Sequence, residues 1–189
     1  MNRRHFSLLC ASAGLMGLSA LPALAEQPRL KMDAEKAYKL AATGTGFATG
    51  PMMAANTVYV FFDTTCPHCA HLWKNLLPLQ SKVKVVWLPT GFLRPISAKQ
   101  GTTILMAPNP AAAMNENEDK LMAHQGGITV APTLNDEVMA KVKANTVILG
   151  DKLGADSVPL VLFRNARTGA YAAHAGAAET AQLSAMFGL

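Results

Sequence analysis

Cysteine is scarce in this chain, charge of either sign is thin, and a long apolar run occurs only at the N-terminal end. Three of the 189 residues are cysteine, at positions 10, 66 and 69. That rules out the cysteine-dense scaffold by which small secreted domains staple their loops. Charged residues make up 15% and aromatic residues 6% of the chain, and no dense block of Lys and Arg is present. Nucleic-acid binding therefore has no electrostatic footprint. No repeat and no low-complexity tract interrupts the chain. Beyond the N-terminal end, no segment is long and apolar enough to span a bilayer, so no stable membrane insertion of the remainder is expected.

What is present begins with a leader. Arg3 and Arg4 precede the apolar, small-residue stretch Phe6 to Leu21, and Ala23-Leu24-Ala25 offers a small-residue cleavage site before Glu26. This is the order of a secretory signal peptide at 1–25, cut after Ala25. Gly14, Gly17 and Pro22 break the stretch, which makes it short for an anchor. Arg3-Arg4-His5-Phe6 also has the look of a twin-arginine export signal. Residues 26–189 amount to 164, enough for one domain with a full core, and without the leader arginines 15 basic residues face 12 acidic ones. The expected location is the periplasm.

Cleavage removes Cys10 and leaves Cys66 and Cys69 alone. A bridge between residues three apart closes almost no loop and adds little loop-entropy stability. The pair is therefore there for chemistry.

Patterning then orders the elements. Asp33 to Ala42 reads as a helix and Thr43 to Pro51 as a Gly/Thr-rich loop, so that 26–56 forms an N-terminal helix and linker. Gly44-x-Gly46 is not a phosphate cradle, because a helix precedes it and a strand follows. Thr57 to Phe62 is β-branched and aromatic without alternation, as in a central buried strand. Cys66 follows a short turn, and Pro67 suits the first turn of a helix carrying Leu72, Trp73, Leu76 and Leu77. Lys82 to Leu88 is the next strand, which places the CxxC pair at a strand-to-helix junction of a β–α–β unit, the context of a redox motif. Ser97 to Met106, Ala111 to His124 and Asn135 to Leu149 are candidate helices. Pro159 to Arg164 and Ala170 to His174 form a hairpin about the turn Asn165 to Gly169, and Glu179 to Phe187 closes as an amphipathic helix.

With strand, Cys66-Pro67-His68-Cys69, helix, strand, helical insert, Val158-Pro159, hairpin and helix in this order, the chain resembles the thioredoxin superfamily, and within it the DsbG/DsbC group of periplasmic disulfide proteins. The segments YVFFDTTCPHC and GFLRPISA carry the DsbG likeness. The Pro-His dipeptide and Val158 are similar instead to the oxidase DsbA. The resemblance implies an α/β chain with a thioredoxin fold over 57–189, interrupted by a helical subdomain at about 92–155. It lacks the N-terminal dimerisation domain of that group, so a monomer or weak dimer is expected. Pro159 would be the cis-proline that faces the active site, with Val158 and Pro159 offering backbone to an extended substrate. The implied activity is thiol–disulfide exchange with the thiols and disulfides of exported proteins, as a DsbG-like reductase or isomerase or as a disulfide donor, without a cofactor, recharged by a membrane redox partner like DsbD or DsbB.

The chemistry has its own physical basis. A sulfur at a helix N-terminus faces unpaired N–H groups and the positive end of the helix dipole, so the Cys66 thiolate should be stabilised and accessible. His68 adds a donor or a positive charge. Cys69, one turn in, is the resolving thiol, and the two would form a redox-active disulfide. Asp63 has two readings, tuning of proton transfer and a turn or cap. A different class stays open: Cys66 and Cys69, with His68 and His71, as ligands of a periplasmic copper-handling protein. Structural zinc wants four ligands, usually two such pairs, and no second pair follows the leader, so no metal site is assigned. The eight methionines past the leader are scattered as packing residues.

Overall fold

The computed structural model describes residues 28–54 and 56–189. The signal peptide and its cleavage point lie outside the described residues. Six α-helices and five strands are found in the order α1 (Ala34–Ala41), β1 (Phe47–Thr49), β2 (Thr57–Asp63), α2 (Pro67–Leu76), β3 (Lys84–Thr90), α3 (Ser97–Met106), α4 (Pro110–Met122), α5 (Asp136–Val147), β4 (Leu160–Arg164), β5 (Tyr171–Ala175) and α6 (Thr180–Phe187). The sheet runs β1-β3-β2-β4-β5. Only β2 and β3 are parallel, joined through α2, with Val60 opposite Trp87 and Asp63 opposite Thr90. All the other pairs are antiparallel.

The unbroken apolar run of β2 is explained by its place in the middle of the sheet, where Val58, Val60, Phe61 and Phe62 have no exposure. Helix α2 buries Leu72, Trp73 and Leu76 in the same core, and Trp73 meets Trp87 of β3 edge-on with ring centroids 4.9 Å apart. Helix α6 contributes Phe187, whose ring lies 5.3 Å from that of Phe163. Helices α3, α4 and α5 all fall between β3 and β4, forming the helical insert.

One expectation is corrected. The loop read at 43–51 contains β1, which pairs Phe47, Ala48 and Thr49 with Trp87, Val86 and Val85. Three residues between glycines are too few to display a period. The glycine at 46 reflects close approach of backbones: a Cβ there would stand 2.0 Å from the Trp87 carbonyl oxygen. Pro89 is tolerated in β3 because β1 has ended by then, so no ladder partner is lost on that side.

Candidate active site

Helix α2 begins just beyond the central strand β2, and the turn between them is fixed by one carboxylate. Asp63 is fully buried. Its Oδ1 accepts from the Thr65 backbone N–H at 2.9 Å, the Thr65 hydroxyl at 2.7 Å and the Ser97 hydroxyl at 2.7 Å. Its Oδ2 accepts from the Phe92 and Leu93 N–H groups, both at 2.9 Å. Asp63 thus ties the β2–α2 turn to the chain entering α3. Of its two sequence readings, the turn role is the one these five donors describe.

Beside it, Thr64 bonds to Gln100 of α3 at 3.0 Å, and its carbonyl accepts from Asn117 of α4 at 3.0 Å. Gln100 Nε2 donates to the carbonyls of Gly126 and Ile128, and Asn117 Oδ1 accepts from the Ile128 N–H. The insert therefore joins the sheet half at the site through a buried polar seam.

Cys66 is the N-cap of α2. Its sulfur accepts from the Cys69 backbone N–H at 3.3 Å, a thiolate-favouring geometry. As a thiol it donates to the carbonyl oxygen of Val158 at 3.5 Å. The Val158–Pro159 peptide bond is cis, and the Val158 carbonyl reaches the sulfur from the loop before β4. The Cys66 thiol is held below its ordinary value, first by a hydrogen bond from the Cys69 thiol, then by the backbone N–H groups of Cys69 and His68. Burial and the negative charge of Asp63 oppose this without reversing it. Cys69 is pushed well above the ordinary value, first by burial and then by its bond to Cys66. The two sulfurs are chemically unequal, one poised as thiolate and one held as thiol.

The sequence places Cys66, Pro67, His68, Cys69, Val158 and Pro159 in one site, and the structure brings all six together there. Two details differ from expectation. Cys66 is only 3% exposed rather than openly accessible, because its cap geometry turns the sulfur inward and Val158 lies over it. The effect of His68 on the sulfur comes from its backbone N–H, while its side chain stands out in solvent beside exposed Pro67. Next to the pair is an open cavity of about 620 Å³, lined among others by Thr65, Pro67, His71, Arg94, Ile96 and His124.

Sequence reading missed Asn117 and Glu118. Both lie on α4 facing inward with Ala113 and Met114. The signal was available: positions 113, 114, 117 and 118 share one helical stripe, so two polar residues fall on an otherwise apolar face. Among the described residues no group of three or more His, Cys, Asp or Glu side chains is gathered to hold a metal, and no helix is long and apolar enough to cross a membrane.

Comparison with known proteins agrees on the architecture. A family model described as thioredoxin matches residues 42–126, from the end of α1 through α4. No curated protein sequence matches the chain. Among solved structures, the chain is similar to Proteus mirabilis ScsC in a transitional conformation, at TM-score 0.61 and 19% identity over 82% of this chain and 79% of that one. It is also similar to the thiol–disulfide exchange protein alpha-DsbA2 from Wolbachia pipientis, at TM-score 0.62 and 15% identity, covering 80% and 91% of the two chains. A periplasmic thioredoxin-like protein from Salmonella enterica serovar Typhimurium matches at TM-score 0.59 and 17% identity over 79% and 93%. At these identities the likeness is one of fold. The chain has a thioredoxin fold, a mixed five-stranded sheet with six helices, three of them inserted between β3 and β4.

Proposed function

We propose that this chain is a periplasmic thiol–disulfide oxidoreductase that exchanges disulfides with exported proteins through Cys66 and Cys69. The observation that carries the reading is the asymmetry of the two sulfurs: Cys66 at the mouth of α2, 3.3 Å from a backbone donor, and Cys69 fully buried behind it. Disulfide exchange needs a stabilised thiolate for the first attack and a second thiol to release the product. The names of the structural neighbours, a thiol–disulfide exchange protein among them, lend the reading support.

The inequality of the two sulfurs supports the following steps. The Cys66 thiolate attacks a substrate disulfide, and the electron pair of that bond leaves on the distal substrate sulfur. Cys69 then attacks Cys66, closing the Cys66–Cys69 disulfide and releasing the second substrate thiol. Because the Val158 carbonyl covers Cys66, an extended substrate must first engage the backbone beside Pro159, where that carbonyl can accept a strand N–H instead of the thiol. The cavity beside Pro67 would take the neighbouring side chains.

A stabilised thiolate favours the dithiol form and so makes the disulfide form the more oxidising one. This favours a disulfide donor, in which the steps run in reverse: a substrate thiolate attacks Cys66 with Cys69 leaving, and a second substrate thiolate then displaces Cys66. Recharging then falls to a DsbB-like membrane partner; the rival is a DsbG-like reductant recharged by a DsbD-like one. Thiol trapping in cells separates the two: a donor is mostly oxidised, a reductant or isomerase mostly reduced. The activity itself is tested by trapping. Cys69→Ala should accumulate mixed disulfides with exported proteins and Cys66→Ala none. Equal trapping by both variants, or none by either, would contradict the reading.

A further inference from the structure

The cavity beside the reactive turn has a chemical character that the steps above do not use. Thr65 and Pro67, the residues on either side of Cys66, form part of its wall, so a chain that fills it must flank the sulfur joined to Cys66. The other walls come from the insert: Arg94 and Ile96 ahead of α3, Leu121 and Met122 at the end of α4, and His124 just beyond. These walls are tied to the buried polar seam. The Leu93 and Arg94 N–H groups donate to Asp63 and Ser97, and the Gly126 carbonyl accepts from Gln100. The cavity is therefore shaped before a substrate arrives.

Its lining is apolar and basic at once. Ile96 and Met122 are 43% and 39% exposed, large apolar side chains left without cover beside a reactive centre. Arg94, His71 and His124 border the same space, and no Asp or Glu does. A second, more open hollow of about 360 Å³ shares Ile96 and repeats the pattern with Pro95, Val130 and Lys99. The acids nearby are engaged elsewhere: Asp63 accepts from five donors, Asp119 pairs with Lys74, Glu116 pairs with Lys120, and Glu118 is buried. Among the described residues neither Arg94 nor Lys99 takes part in an ion pair. His124 adds an independent sign. Its φ is +58°, the one positive value outside glycine among the described residues. Glycine would end α4 there without strain, yet an imidazole stands in the wall.

We propose that Arg94 selects the substrate: this face receives the segment of an exported protein that flanks its reacting cysteine, and prefers one carrying a carboxylate beside an apolar residue. The assignment deepens the oxidoreductase reading above and rests on it. The apolar side chain seats against Ile96, Leu121 and Met122. The carboxylate meets the Arg94 guanidinium, whose planar fork matches two carboxylate oxygens. Lys99 extends the basic rim past Ile96. A thiolate at Cys66 by itself repels an acidic segment, so a preference for one has to come from the surrounding cations.

The test uses the reduced protein and short peptides whose single cysteine is joined to 2-thiopyridine. The Cys66 thiolate attacks the peptide sulfur, and the bond to the heterocycle breaks with its electron pair on the pyridine thiolate, which water protonates to the ultraviolet-absorbing thione. Cys69 then closes the pair and frees the peptide thiol, so the dithiol is oxidised and the mixed disulfide reduced. Peptides with leucine and glutamate before or after the cysteine are compared with leucine–lysine and serine–glutamate counterparts. Each rate is taken relative to an alanine-flanked peptide with the same variant, so a general loss of reactivity does not count as a change of preference. In the wild type, at least one glutamate placement should react about 10-fold faster than its lysine counterpart. Serine in place of leucine should slow that peptide about 10-fold. Arg94→Gln should shrink the charge preference to within about 2-fold, and Arg94→Glu should reverse it. Lys82→Gln removes an exposed positive charge before β3, at the end away from Asp63, and should leave the preference intact. Equal wild-type rates for glutamate and lysine would overturn the inference. So would indifference to leucine, an unchanged preference in Arg94→Gln, or an equal effect of Lys82→Gln. Absence of thione release from every peptide would instead remove the oxidoreductase reading on which it rests.

Discussion

The sheet half of the molecule and the seam that joins its helical insert to the reactive turn are held by opposite means. In the sheet half, β2, β3, β4 and α2 bury Phe61, Phe62, Trp87, Val161 and Leu72 without exposure, and stability comes from apolar area and close packing. Away from the site, Ile104, Met114 and Leu149 of the insert join the same apolar core, but around the reactive turn the contact is a run of buried polar groups: Asp63, Thr64, Ser97, Gln100 and Asn117. An apolar surface is indifferent to small rotations, whereas a hydrogen-bond network fixes register and orientation. The difference places the reactive turn between a rigid support and an oriented cover.

Predictions follow from breaking each side in turn. Phe61→Ala should cost about 3–5 kcal/mol, the usual range for a fully buried aromatic side chain, read by denaturant unfolding. Asp63→Asn keeps the shape but turns an amide N–H₂ towards donors that need an acceptor. A cost of about 2–4 kcal/mol is expected, with proteolysis appearing first at the junction near residues 91–97. If Asp63→Asn were neutral while Phe61→Ala was not, the seam would be ornament and the comparison would fail.

Glu118→Gln sharpens the contrast through pH. Its carboxyl is raised in the folded protein to about 8 from an ordinary 4.5, so over that window the folded state holds a proton the unfolded state has lost. Stability therefore falls as pH rises through the window. The stability of Glu118→Gln relative to the wild type should then increase by roughly 2–4 kcal/mol between its two ends, measured as unfolding midpoints against pH. A flat difference would mean that the acid is not buried as described. The smallest effect belongs to the surface of the same contact. Lys74→Ala removes an exposed pair with Asp119 across α2 and α4 and should cost about 0.2–1 kcal/mol, less at high salt.

The sheet half was the legible half. The run Thr57 to Phe62 and the position of Pro67 after Cys66 declare a buried strand and a helix start through composition alone. The helices of the insert were legible as elements, and Ser97–Met106 begins and ends where the pattern placed it. Their attachment was not. Asp63, Gln100, Asn117 and Glu118 become partners only through contacts between residues distant in sequence, and polar residues on a helix read first as solvent-facing. Strand β1 escaped for a different reason: its three residues pair because β3 offers an edge, a tertiary fact with no local signature. The Cys66 exposure was misjudged because helix-mouth chemistry is local, while the Val158 carbonyl above it arrives from 92 residues away.

The account stands on the inequality of the two sulfurs, and the rate of alkylation by iodoacetamide against pH measures it directly. Cys66 should react as a single titrating group with its midpoint clearly below that of an ordinary thiol, and Cys69 should stay unlabelled until the fold is lost. A Cys66 that titrates like a free cysteine, or a Cys69 labelled as readily as Cys66, would contradict it.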